Sequence, residues 1–155
     1  MGQSLTLPDP AATAAMAERL VRRLPANAAG WTILLQGELG AGKSTFARAM
    51  LRALGYTGTV PSPTYTLVEP YELSEYSVYH IDLYRIASGS ELEYLGWSEL
   101  QEGLRLVEWP ERAPQLEHEA DLRLAFRFAG TGRAVEWTGL TERGAALVAA
   151  IDSFA

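Results

Sequence analysis

The sequence contains no cysteine, a single lysine and two histidines in 155 residues. Without cysteine there are no disulfides, no thiolate zinc sites and no thiol nucleophile. With histidine only at positions 80 and 118, a His-rich metal centre lacks ligands. No apolar run approaches the ~20 residues that cross a bilayer. The N-terminus also lacks a basic segment followed by an apolar stretch. Met1-Gly2-Gln3-Ser4-Leu5-Thr6 fits a myristoylation pattern, but no second membrane signal accompanies it. The expectation is therefore a cytoplasmic protein with no membrane association. Basic clusters are missing too: the net charge is −6, and nothing exceeds Arg22-Arg23. A protein that grips nucleic acid unaided neutralises phosphates with a basic face. Any work on RNA is then expected to proceed through partners. The remaining composition, 48% hydrophobic and 21% charged, suits a soluble domain with a real core, and one domain over residues 1–155 is expected.

The single lysine stands in the most informative stretch. Gly37-Glu38-Leu39-Gly40-Ala41-Gly42-Lys43-Ser44 has the spacing G-x-x-x-x-G-K-[ST] of a phosphate-binding loop. Before it, Trp31 to Gln36 is a short apolar run with the character of a buried strand. After it, Thr45 to Leu54 has helical periodicity with Phe46, Ala49, Met50 and Ala53 on one stripe, and Gly55 stops it. Glycines let backbone N–H groups turn toward an anion, and a helix N-terminus adds a favourable dipole. Lys43 is placed to reach β- and γ-phosphates, and the Ser44 hydroxyl to help hold Mg²⁺. A chain that uses arginine for its other twelve Lys/Arg positions has lysine where a compact ammonium fits between phosphates and a planar fork does not. A guanine-recognition motif of the Asn/Thr-Lys-x-Asp type needs a second lysine, so ATP is favoured over GTP.

The rest of the chain reads as alternating strands and helices. Gln3 to Leu7 is a short strand candidate. Asp9-Pro10 offers an N-cap and first-turn proline for a helix over Ala11 to Leu24. Two prolines bracket Ser62 in Pro61-Ser62-Pro63-Thr64, which excludes a helix or central strand there. The stretch is either a rigid connector or a switch loop whose Ser62 or Thr64 hydroxyl senses metal or γ-phosphate. Tyr65–Tyr71, Ser77–Asp82 and Leu104–Glu108 are strand-like, while Glu91–Leu100 is partly helical and interrupted at Gly96. Leu122–Phe128 and Arg133–Trp137 alternate around Ala129-Gly130-Thr131-Gly132, predicting a C-terminal antiparallel hairpin. Thr141 opens a final helix. The fold class expected is α/β, a P-loop NTPase-like sheet with flanking helices and that hairpin.

Two acids end strands. In open α/β sheets, ligands bind beyond the carboxyl ends of the strands. If Ser77–Asp82 and Leu104–Glu108 run parallel to Trp31–Gln36, Asp82 and Glu108 converge on Lys43 and Ser44. Asp82 is then a direct or water-mediated metal ligand, and Glu108 a second ligand or the group that orients attacking water. His80 is a satisfied strand histidine in preference to a base. Trp109 stacks on nucleotide or partner, or packs in the core.

The ordered set Gly37–Thr45, Ser62-Pro63-Thr64-Tyr65-Thr66-Leu67-Val68, His80-Ile81-Asp82-Leu83-Tyr84-Arg85, Glu91–Gly96 and Glu108-Trp109-Pro110-Glu111 resembles the bacterial TsaE family over nearly the whole chain. The resemblance implies a small P-loop ATPase of tRNA threonylcarbamoyladenosine biosynthesis that binds TsaD and TsaB and meets tRNA only through that complex. Its ATP turnover would reset the complex between cycles. It also implies nucleotide and Mg²⁺ roles for Ser44, Thr64, Asp82 and Glu108, a functional place for Trp109, and contacts along Gly37, Glu38, Leu39, Gly40, Ala41, Gly42, Lys43 and Thr45. Ser44 departs from the family's usual threonine but keeps the hydroxyl. The alternative is a small-molecule kinase. Such an enzyme uses a lid bearing arginines, whereas residues 88–103 carry no Lys or Arg.

Overall fold

Capping and turn chemistry set the first elements of the computed structural model, which describes residues 2–61 and 67–152. Strand β1 (Gly2–Leu7) leads into Asp9, whose side chain accepts from the Ala12 backbone N–H at 2.9 Å and caps helix α1 (Pro10–Arg23). Such a cap contributes about 1 kcal/mol. Strand β2 (Thr32–Gln36) feeds the glycine-rich loop, and helix α2 (Lys43–Ala53) follows it. Strands β3 (Val68–Glu72), β4 (Ser77–Asp82) and β5 (Leu104–Glu108) come next. Strands β6 (Leu122–Ala129) and β7 (Gly132–Gly139) form the hairpin, and helix α3 (Glu142–Asp152) closes the described chain.

All seven strands join one sheet in the order β1-β7-β6-β2-β5-β4-β3. Strands β6, β2, β5 and β4 are mutually parallel, while β7, β1 and β3 attach through antiparallel pairings. The expected α/β architecture with a C-terminal hairpin is what forms. The hairpin is also more than an appendage, since β6 pairs directly with β2.

Both faces of the central strands are buried, as parallel strands require. On one face α1, α2 and α3 supply Met16, Leu20, Phe46, Met50, Leu147 and Ile151 against Ile33, Leu35, Leu106 and Leu124. On the other face, Leu83, Ile86, Leu92 and Trp97 from the crossing after β4 and Leu116 from the crossing after β5 cover Leu34, Ile81 and Val107. Both crossings are built largely of 3₁₀ turns, at Gly89–Leu95 and Glu99–Glu102 in the first and at Pro110–Arg112 and Pro114–His118 in the second.

Several boundaries differ from the sequence expectation. Helix α2 starts at Lys43, and its buried residues are Lys43, Phe46, Ala47, Met50 and Leu51. Ala49 and Ala53 are only half-buried, because α2 is covered by α1 as well as by the sheet. The strand expected from Tyr65 is described from Val68, and Tyr65 and Thr66 lie outside the described residues. Glu91–Leu100 is 3₁₀ rather than α-helical, with the interruption at Gly96 as expected.

At the end of the sheet opposite the loop, Asp121 locks three elements together. Its buried carboxylate accepts from the Thr32 backbone N–H at 3.0 Å, Thr141 Oγ1 at 2.8 Å and Arg143 Nε at 2.8 Å. Burial raises its pKa, but the hydrogen bonds from Arg143, Thr141 and Thr32 outweigh that and hold it below the usual value. A carboxyl depressed in the folded state stabilises above its unfolded pKa of about 3.9, and this contribution is lost as pH falls through the folded value. Asp121→Ala strands the Thr32 N–H in the interior, so it is expected to cost about 2–3 kcal/mol at neutral pH. Denaturant unfolding should show that gap at pH 7 and a narrowing gap below about pH 4.

Candidate functional site

The loop between β2 and α2 has a backbone that only glycine makes easily. Gly37 has φ +148°, and a Cβ there would lie 2.5 Å from the Phe126 carbonyl oxygen on β6. Gly42, with φ +114°, is the N-cap of α2. This left-handed residue turns the chain into the helix and leaves the first helical N–H groups without side-chain caps. Glu38, Leu39 and Gly40 form the exposed outer arc, whereas Ala41 is fully buried and anchors it. Arg133 of β7 braces the arc by donating from Nε to the Gly40 carbonyl oxygen at 3.0 Å while lying over the Phe128 ring.

Lys43 is 4% exposed, although it is the first residue of α2. Its ammonium donates to the Gly37 carbonyl oxygen at 2.5 Å and sits 3.4 Å from the centroid of the Trp109 ring. Burial lowers its pKa below the usual lysine value, and the charges of Glu108, Glu111 and Asp82 oppose that shift.

The parallel register brings both strand-end acids to this place. Leu35 pairs with Glu108, and Glu108 with Asp82. Ser44 Oγ lies 3.1 Å from each Glu108 carboxylate oxygen. Asp82 Oδ1 accepts from the Tyr84 backbone N–H at 2.9 Å. Asp82, Glu108, Lys43, Ser44, Thr45, Gly40, Gly42, Leu39 and Trp109 line one cavity of about 140 Å³. The donors present, two carboxylates and a hydroxyl, are hard oxygens. Among the described residues no three His, Asp or Glu side chains gather as a metal cage. That donor set fits Mg²⁺, a cation held by one or two carboxylates and completed by phosphates and water.

Trp109 follows Glu108 with φ +59°, a left-handed conformation rare for a bulky residue. Such strain clusters at functional sites. The turn aims the ring at Lys43 and against Tyr84, at 4.9 Å between centroids. Trp109 is half-buried and also packs on the second core, so its two sequence-derived roles are not exclusive. Thr64 and Ser62 lie outside the described residues.

A second cavity, of about 240 Å³, adjoins the first across a shared wall of Gly40, Gly42 and Thr45. Leu7, Pro8, Asp9, Pro10 and Thr13 form one side of it, and Thr131, Gly132 and Arg133 the other. Sequence reasoning missed this cavity, the Arg133 brace and the Phe126 contact. Each depends on β7 and β6 lying beside a loop some ninety residues earlier, which no local pattern reports. His80 was legible as a strand histidine but not as the partner of Glu108: its Nε2 lies 2.5 Å from Glu108 Oε2.

Residues 7–138 match the model of a family described as "Threonylcarbamoyl adenosine biosynthesis protein TsaE". A Haemophilus influenzae protein named tRNA threonylcarbamoyladenosine biosynthesis protein TsaE is 37% identical over 123 residues, 78% of each chain. A Synechocystis protein of the same name is 44% identical over 116 residues, 71% of each chain. The crystal structure of Bacillus subtilis YdiB superposes with a TM-score of 0.78 at 26% identity, covering 99% of this chain and 96% of that one.

Proposed function

This chain belongs to the TsaE family, and from that premise we propose that it is a Mg²⁺-dependent ATPase serving tRNA threonylcarbamoyladenosine biosynthesis. The observation that carries the proposal is the position of Ser44: its hydroxyl lies in the first turn of α2, touches Glu108 and shares one cavity with Lys43 and Asp82. The loop N–H groups and Lys43 hold the β- and γ-phosphates, the ammonium exchanging the Gly37 carbonyl for phosphate oxygens. Ser44 and Asp82 are the residues that would hold Mg²⁺, and the ion would supply neutralisation of charge on the phosphate oxygens. Glu108 orients attacking water or adds a further ligand. Thr64 is assigned a sensing role from the family resemblance alone.

The nucleoside extends past Thr45 into the second cavity, between Leu7–Thr13 and Thr131–Arg133. Arg133 engages a loop carbonyl, so it braces the loop instead of clamping a transferring phosphoryl group. Slow turnover in isolation follows, since an arginine finger accelerates such reactions by about 10³–10⁵. Stimulation is assigned to TsaD and TsaB, with ATP turnover resetting their complex. The net charge of −6 fits a protein that meets tRNA only through them.

Calorimetric titration with a non-hydrolysable ATP analogue should give one site per chain, tightened by Mg²⁺. Absence of binding at millimolar analogue with Mg²⁺ contradicts the proposal.

A further inference from the structure

We infer that His80 is a positioning residue that fixes which oxygen of Glu108 faces the cavity. This rests on the function proposed above and goes further, because it gives the two oxygens of one carboxylate different tasks. His80 lies on β4 two residues before Asp82 and is 2% exposed. Its register partner is Leu106, so it reaches Glu108 diagonally along β5. Nε2 stands 2.5 Å from Oε2, and the pair is buried on both sides. Ser44 Oγ lies 3.1 Å from both oxygens, so the ring is the contact that distinguishes them: Oε2 meets it and Oε1 does not.

The other ring nitrogen decides the tautomer. Among the described residues, Nδ1 is buried without a hydrogen-bond partner. A carboxylate oxygen facing Nε2 accepts, so the proton resides on Nε2. A proton on Nδ1 would be a buried donor left unmade, which costs more than a bare lone pair turned to apolar surroundings. His80 is therefore a one-sided donor. Among the described residues no group stands beyond Nδ1 to relay a proton, which argues against a general base and leaves orientation as its task. With Oε2 shared between the ring and Ser44, Oε1 is the oxygen that has Ser44 alone and is left to turn to a ligand. The carboxylate then acts through one oxygen and is held against rotation. This is the arrangement by which outer partners orient metal- and water-binding carboxylates.

The chain has only two histidines, His80 and His118, so ring ¹⁵N–¹H correlation spectra assign His80 by loss of its signals in His80→Gln. The unliganded protein is expected to show a hydrogen-bonded Nε2–H proton from His80, and Glu108→Gln is expected to shift it. An Nδ1–H tautomer overturns the inference whatever the protein does with ATP. Next come His80→Leu, which removes the donor, and His80→Gln, which keeps an N–H near the Nε2 position. With ATP, His80→Leu is expected to lower kcat about 10–100-fold while affinity for the analogue without metal stays within about threefold, and His80→Gln is expected to recover most of the loss. Parent-level kcat in a folded His80→Leu overturns the positioning role. Failure of the unmodified protein to hydrolyse ATP in any mixture defeats the ATPase function instead, and the ring spectrum then decides the His80–Glu108 assignment by itself.

Discussion

Lys43→Ala is expected to weaken binding of ATP by about 10²–10³-fold, with the melting temperature within a few degrees of the parent. Hydrogen bonds to charged groups are worth about 1.5–3 kcal/mol each, and the ammonium is placed to make such bonds with two phosphates. No other lysine exists to substitute for it. The fold should tolerate the loss, because the desolvated ammonium is held by one carbonyl and one ring face, the Gly37 oxygen and Trp109. Lys43→Arg is expected to fail as well, since the bulkier guanidinium fork does not fit where a compact ammonium meets the Gly37 carbonyl oxygen at 2.5 Å, beside a cavity of about 140 Å³. Calorimetry with the ATP analogue and a parallel thermal melt check both parts. An affinity near the parent value in either variant removes Lys43 from the phosphate site.

Glu108→Gln is expected to reduce phosphate release by about 10²–10⁴-fold, the range of a positioned acid or base, with affinity for ATP within about threefold of the parent. The substitution keeps the shape of a side chain that is 3% exposed, so packing is preserved and the loss falls on the charge and on one acceptor oxygen. Asp82→Ala should act differently: it should raise the Mg²⁺ concentration needed for half-maximal turnover, as removal of a ligand does. A Glu108→Gln protein that hydrolyses ATP at the parent rate under saturating Mg²⁺ contradicts the assignment.

What the sequence made legible was the chemistry and its order along the sheet. Gly37 to Ser44 announced a phosphate loop because each residue type there answers a local physical demand. Asp82 and Glu108 were readable as strand-end acids, and the parallel pairing of β2, β5 and β4 brings them side by side. What stayed hidden depends on distant neighbours. The buried arc of α2 shifted because α1 covers it. Arg133 reaches the loop through the fold of a hairpin far along the chain. The left-handed Trp109 has no sequence signature beyond the following proline, which by itself argues for extended backbone. The one-sided contact of His80 depends on a diagonal reach between strands, whereas sequence shows only a lone histidine in an apolar run.

The most direct test of the central claim is phosphate release from Mg²⁺-ATP, measured for this protein alone and with added TsaD–TsaB heterodimer and tRNA. A Mg²⁺-dependent ATPase of this pathway is expected to turn over slowly alone and faster with the heterodimer, together with repeated rounds of tRNA modification. Absence of phosphate release in every mixture, or turnover indifferent to the heterodimer and tRNA, would contradict it and turn attention to phosphoryl transfer onto a small-molecule acceptor.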